Sequence, residues 1–135
     1  MKENKIIAVV IPCFRVSKHI KTVIASVPDF IDHIILVDDA CPEQSGKIGS
    51  KTSHSKLTVI FHDVNQGVGG AVISGFKKAI DLNCDIIVKL DGDGQMDSSK
   101  ITNLIAPILE EEADYTKGNR FHDFKALKLM PRTRL

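Results

Sequence analysis

After Asp85, the stretch DIIVKLDGDGQMD (residues 85–97) runs four apolar residues and one lysine into three aspartates and two glycines. A short, continuous apolar run rich in Ile and Val, with no polar alternation, is the pattern of a strand covered on both faces, as in a parallel sheet. The chain repeats it at IIAVVI (6–11), HIILVD (33–38) and LTVIF (57–61). Each run ends in polar or glycine-containing sequence: PCFR (12–15), DDACPE (38–43), HDVNQGVGG (62–70) and DGDGQ (91–95).

Helical spacing fills the intervals. Between residues 67 and 82, Val68, Ala71, Val72, Gly75, Phe76, Ala79 and Ile80 recur at three and four residues, predicting one buried helical stripe. A first helix is expected from Ser17, as its cap, to just before Pro28. Residues 42–56 allow at most a weak helix. A further helix is expected over 98–112, interrupted by Pro107. ADYTKGN (113–119) reads as a fifth, short strand, and Phe124, Leu127 and Leu129 have helical spacing. The alternation predicts an α/β fold: an open, mostly parallel, Rossmann-like sheet with helices on both faces.

Composition narrows the functions. At 135 residues with 43% hydrophobic content, the chain suits one domain, 1–135, with a substantial core. Its 18 basic and 17 acidic residues nearly cancel and form no basic arm, so no nucleic-acid partner is expected. Cys13, Cys41 and Cys84 form neither a C-x-x-C pair nor an even set, against a disulfide framework or a zinc site. No apolar run approaches the roughly 20 residues of a membrane span. The expected location is cytoplasmic. The five histidines show no ligand spacing and read as surface or edge residues.

In open α/β sheets, ligands bind beyond the carboxyl ends of the strands. That placement would bring Asp38, Asp39, Asp63, Asp91 and Asp93 to one edge. Asp91 and Asp93 supply hard oxygen donors suited to Mg²⁺ or Mn²⁺, and Gly92 between them lets a ligand approach the backbone. The alternative is a simple Asp-Gly turn. Asp38 and Asp39 read either as cap residues or as acceptors for a nucleobase N–H or a ribose hydroxyl. The glycines at 67–70 resemble a dinucleotide fingerprint but fail it, with Val72 where the last glycine belongs. They suit a tight turn and close packing, and N–H groups at that helix start could face a ligand. A calcium loop starting at Asp91 is excluded by Met96 and Thr102.

VVIPCFR, ILVDDACPE, HDVNQGVGGAVISGFKKAI, IIVKLDGDGQMD and KGNRF, in that order, resemble the successive motifs of family 2 glycosyltransferases with the GT-A fold. The resemblance covers residues 6–123 and is nearest to the dolichyl- or polyprenyl-phosphate mannose and glucose synthase branch. By that resemblance, Pro12 and Phe14 flank the nucleotide base and Asp39 binds it. Asp91 and Asp93 are the catalytic D-x-D acids that hold the divalent ion and the donor diphosphate. Gln95 matches a third metal-side ligand, and Arg120 a basic residue near the diphosphate. The first motif departs from the family pattern P-x-Y-N-E: Phe14 keeps the aromatic face, but the acid is absent.

The resemblance implies an inverting, metal-dependent transfer of a hexose from a UDP- or GDP-linked sugar to an acceptor, a polyprenyl phosphate in this branch. The protein would then work at the inner face of the membrane. The family's downstream acceptor motifs lie beyond Leu135, so the chain reads as a donor-binding portion cut short. A non-catalytic nucleotide-sugar-binding fragment is the alternative, with a homodimer or partner docking through a C-terminal helix carrying Phe124, Leu127 and Leu129. A phosphohydrolase of the haloacid dehalogenase type is a further rival, because it also places D-x-D-G after an apolar strand.

Overall fold

The computed structural model describes residues 5–92, 101, 115–117 and 125–128. Strands β1 (Ile7–Cys13), β2 (His33–Asp38), β3 (Leu57–Phe61) and β4 (Ile86–Lys89) form the parallel part of the sheet. They are joined by helices α1 (Ile20–Ser26), α2 (Ser45–Ser50) and α3 (Gly67–Asp81). Strands β5 (Tyr115–Lys117) and β6 (Lys125–Lys128) complete a six-stranded sheet of order β3-β2-β1-β4-β6-β5.

All seven residues of β1 are buried, so its side chains alternate between two apolar layers. Ile7, Val9 and Ile11 join Ile20 and Ile24 of α1, together with the buried, helical Ile101. Ala8 and Val10 face the opposite way, into a cluster with Ala71 and Ala79 of α3. The continuous apolar runs are thus explained by helices on both faces. β1 lies between β2 and β4, in register Val9 with Ile34 and Val9 with Val88. The chain leaves β1 toward β2 and β3 and returns through α3 to β4 on the other side. This reversal opens a crevice at the strand ends, where α/β proteins bind ligands.

α3 buries a narrower stripe than the spacing predicts. Ala71, Gly75 and Ala79 are its buried residues, whereas Val68 and Ile80 are 61% and 46% exposed. A methyl group at Gly75 would run into the Val10 side chain. Small residues every fourth position let the helix lie close on the sheet; Val68 and Ile80 turn outward, while Phe76 packs partly buried against the same cluster.

Two further expectations are corrected. Ser17 does not cap α1: its hydroxyl donates to Glu43 Oε1 at 2.8 Å, and the helix starts only at Ile20, after a turn in which Val16 O accepts from the His19 and Ile20 N–H groups. The helix expected around Leu127 is the strand β6, antiparallel to both β4 and β5, with Leu127 opposite Ile87. The four residues of β4 are all buried, and the backbone groups on its side away from β1 need partners; pairing with β6 supplies them and overrides a weak local helical spacing. The expected strand over 113–119 is present as β5. The helix expected over 98–112 lies outside the described residues except for Ile101.

Candidate active site

A cavity of about 810 Å³ opens at the carboxyl ends of β1, β2 and β4. That volume suits a small organic ligand, within the usual span of roughly 300–1,000 Å³. Pro12 of β1 and Phe14 and Arg15 just after it form one wall, Asp39 and Ala40 follow the end of β2, Gly67, Val68 and Ala71 come from the start of α3, and Asp91 and Gly92 follow β4. Of the expected site residues, Pro12, Phe14, Asp39, Asp91 and Gly92 therefore share one cavity. Asp93, Gln95 and Arg120 lie outside the described residues. Asp63 is exposed and is not part of the lining.

The two adjacent acids at the end of β2 divide their work. Asp38 turns toward α2, where Oδ1 accepts from the Cys41 N–H at 2.7 Å and Oδ2 from the Gly46 N–H at 2.8 Å. Those bonds make it a structural clamp. Asp39 turns to the cavity, although its side chain is only 4% exposed. Its Oδ1 accepts from the Gln66 N–H at 2.8 Å and from His62 Nδ1 at 2.8 Å. Burial works to raise its pKa, but the His62 bond and the Gln66 and Gly67 backbone outweigh it and hold the carboxyl below the usual aspartate range. Asp39 is thus an ionised, acceptor-only group at the cavity wall. Part of the hydrogen-bonding capacity at the start of α3, expected to face a ligand, is spent on this carboxylate.

His62 is the residue that sequence reasoning missed. It read as a surface or edge residue, yet its side chain is 6% exposed, with Nδ1 on Asp39 and Nε2 2.7 Å from Ser74 Oγ on α3. Because an ionised Asp39 can only accept, Nδ1–H is the donor there, and Nε2 shares a hydrogen bond with the Ser74 hydroxyl. The usable signal was position: His62 directly follows the third apolar run, as Asp39 and Asp91 follow theirs. The order Asp39, His62, Ser74 has the connectivity of a serine-hydrolase triad, but Ser74 does not line this cavity.

The wall after β1 is held in an uncommon conformation. Arg15 has φ 58° and Ala40, across the cavity, φ 57°, both in the left-handed region that disfavours a side chain. Bonds to the α2 region fix the Arg15 loop: the Arg15 N–H donates to Cys41 Sγ at 3.1 Å and the Val16 N–H to Ser45 Oγ at 3.1 Å. The Arg15 guanidinium lies 5.3 Å from the centre of the Phe14 ring. Burial pushes the Cys41 thiol up, but hydrogen bonds from the Ser45 hydroxyl and from the Ser45, Arg15 and Glu43 backbone hold it below its ordinary value. Cys13 goes the other way, raised far above the thiol range by burial and by nearby Asp38 and Cys41. Of the two thiols, Cys41 is the more acidic.

At the far end of the cavity, Asp91 Oδ1 is 3.3 Å from Lys89 Nζ, a largely buried ammonium at the end of β4. Among the described residues no group of three or more His, Cys, Asp or Glu side chains could hold a metal ion. Asp91 contributes one hard oxygen donor at an accessible rim beside Gly92. That fits a divalent cation which takes one or two carboxylates and completes its shell with water and phosphate oxygens. No helix among the described residues is long and apolar enough to cross a membrane.

The profile of Glycosyl transferase family 2 matches residues 8–135. The chain is 34% identical, over 146 aligned positions, to the UDP-N-acetylglucosamine–dolichyl-phosphate N-acetylglucosaminyltransferase of Methanococcus voltae, covering 97% of this chain and 58% of that protein. It is 27% identical to the undecaprenyl-phosphate mannosyltransferase of Micrococcus luteus, over 64% of this chain and 36% of that one. Among solved structures it superposes on glucosyl-3-phosphoglycerate synthase from Mycobacterium tuberculosis, in complex with Mn²⁺, UDP and phosphoglyceric acid, with a TM-score of 0.75. Sequence identity there is 18%, and 94% of this chain and 57% of that one are covered, so the likeness is one of fold. The chain thus spans little more than half the length of the Methanococcus relative it matches.

Proposed function

Because the chain belongs to glycosyltransferase family 2, we propose that its cavity holds a nucleotide-sugar donor and that the protein transfers the sugar, with inversion, to a polyprenyl phosphate. The family membership decides against the phosphohydrolase alternative. The observation that carries the donor reading is the convergence of Pro12, Phe14, Asp39, Asp91 and Gly92 on one cavity of ligand size.

Each end of that cavity suits one part of the donor. The apolar surface of Pro12 and Phe14 beside an acceptor-only Asp39 fits a nucleobase that offers a ring N–H. Uracil and guanine both do. The Methanococcus relative is named for a UDP-linked donor, which makes UDP the first probe. On the other side of β1, Asp91, with Asp93 and Gln95 following it in sequence, would hold Mg²⁺ or Mn²⁺, and Arg120 would face the diphosphate. When bound, the cation would neutralise charge on the departing nucleoside diphosphate. Gly92 presents no side chain there; a Cβ would stand 3.0 Å from Val16 Cγ2.

The chemistry is a single displacement. An acceptor phosphate oxygen bonds to the anomeric carbon while the bond from that carbon to the diphosphate breaks, and the nucleoside diphosphate leaves with the electron pair. A phosphate acceptor is already anionic, so placement matters more than proton removal. The relatives named for dolichyl and undecaprenyl phosphate support a lipid phosphate acceptor, which the protein would meet at the inner face of the membrane. Thermal unfolding with Mn²⁺ and a panel of UDP-, GDP- and ADP-linked sugars tests the reading: one uridine or guanosine donor should raise the melting temperature, and a panel without any shift in correctly folded protein would contradict it.

A further inference from the structure

We propose that His62 is a positioning residue for donor recognition: it fixes Asp39 in the orientation that lines the cavity and ties that orientation to the seating of α3. The inference rests on the donor reading of the cavity. A carboxylate with a 4% exposed side chain has almost no water to satisfy it, so its direction is set by its protein donors.

Those donors come from one short segment. His62 and the Gln66 N–H both reach Asp39 Oδ1 at 2.8 Å, and Asn65 Nδ2 holds the Asp39 backbone carbonyl, rather than the carboxylate, at 3.0 Å. His62 is itself anchored twice over. Its backbone N–H donates to Asp38 O at 2.8 Å, and its Nε2 meets Ser74 Oγ at 2.7 Å. A ring held at its backbone and at both nitrogens has little rotational freedom, so it supplies a preorganised bond to the acid. The Ser74 hydroxyl completes this arrangement from the second turn of α3, and α3 also contributes Gly67, Val68 and Ala71 to the cavity. Without the ring, Asp39 is free to turn to other donors, and a nucleobase must reorder it on binding.

Because His62 acts through Asp39, its effect should fall on the base of the ligand and spare the phosphates. Calorimetry with the full chain and Mn²⁺, using UDP and inorganic pyrophosphate as probes, separates the two. His62→Ala should weaken UDP at least about tenfold, the size of one charge-assisted hydrogen bond, and leave pyrophosphate within about threefold. His62→Asn, whose amide N–H can occupy the place of Nδ1–H, should recover most of the UDP affinity. Ser74→Ala keeps the ring and should give a smaller loss of the same kind; it carries the test if His62→Ala does not fold. Equal losses for UDP and pyrophosphate, or unchanged UDP affinity in both His62→Ala and Ser74→Ala, would overturn the inference. Wild-type protein that binds UDP no better than pyrophosphate would instead contradict base recognition in this cavity, and the inference with it.

Discussion

Asp39 Oδ1 and His62 Nδ1 stand 2.8 Å apart, and through this contact the residue after β2 is joined to the residue after β3 at the wall of the cavity. The side chain of neighbouring Asp38, one residue earlier, is spent instead on the Cys41 N–H and on α2. The pair shows how one acidic dipeptide serves fold and site separately.

The Asp39 contact has a pH signature. Its folded pKa lies below the unfolded one, so the stabilisation is complete above the unfolded value and is lost as pH falls through the folded value. Melting temperatures measured from neutral pH to about pH 2.5 should fall more steeply below about pH 4 in the wild type than in Asp39→Asn. Parallel curves would show that the carboxylate is not held as described.

Asp38→Ala should act on stability first. It strands two buried N–H donors, on Cys41 and Gly46, at about 1–3 kcal/mol each. Urea unfolding should register a loss of about 2–6 kcal/mol, with UDP affinity of the folded protein moved less than by Asp39→Ala. A loss below about 1 kcal/mol would mean that water or a backbone shift replaces the clamp.

The seating of α3 predicts opposite outcomes for two glycines. At Gly69 an added methyl meets nothing within 4 Å, so Gly69→Ala should be neutral or gain up to about 1 kcal/mol from helix propensity. Gly75→Ala gains the same propensity but drives a methyl into Val10, a clash worth about 1–3 kcal/mol. Denaturant midpoints should therefore rank Gly69→Ala above Gly75→Ala; the reverse order would contradict the close packing of α3 on β1.

Thiol chemistry offers an independent check. Burial and nearby Asp32 and Asp85 push Cys84 up to about 11, and Cys13 is raised further, whereas Cys41 is lowered. The thiolate is the reactive form. Limited iodoacetamide treatment followed by mass spectrometry should label Cys41 first. UDP should slow that labelling, since the Arg15 N–H of the cavity wall donates to Cys41 Sγ. Faster labelling of Cys13 or Cys84 would refute the assignment.

What could be read from the sequence follows from how local each feature is. β1, β2 and β4 were legible because a strand covered on both faces writes its burial into nearly every residue. The cavity was legible because strand ends in such sheets converge. β6 was not, since pairing to β4 is a tertiary demand that Lys125–Lys128 hardly advertise. Nor could spacing say which of Asp38 and Asp39 faces the cavity: adjacent residues on a strand point to opposite sides, and only the positions of α2 and His62 decide the matter. His62 was overlooked because metal spacing was the pattern sought, while its partners, Asp39 and Ser74, lie 23 and 12 residues away.

The central claim is that the Asp91 end of the cavity holds a nucleoside diphosphate through a divalent cation. Calorimetry of UDP binding, with Mn²⁺ and with chelator, on the wild type and Asp91→Asn tests it directly. Mn²⁺ should tighten UDP at least about tenfold in the wild type, or about 1.4 kcal/mol, and by less than about twofold in the variant. Equal UDP affinity with and without Mn²⁺ in the wild type, or an undiminished Mn²⁺ effect in Asp91→Asn, would contradict the account.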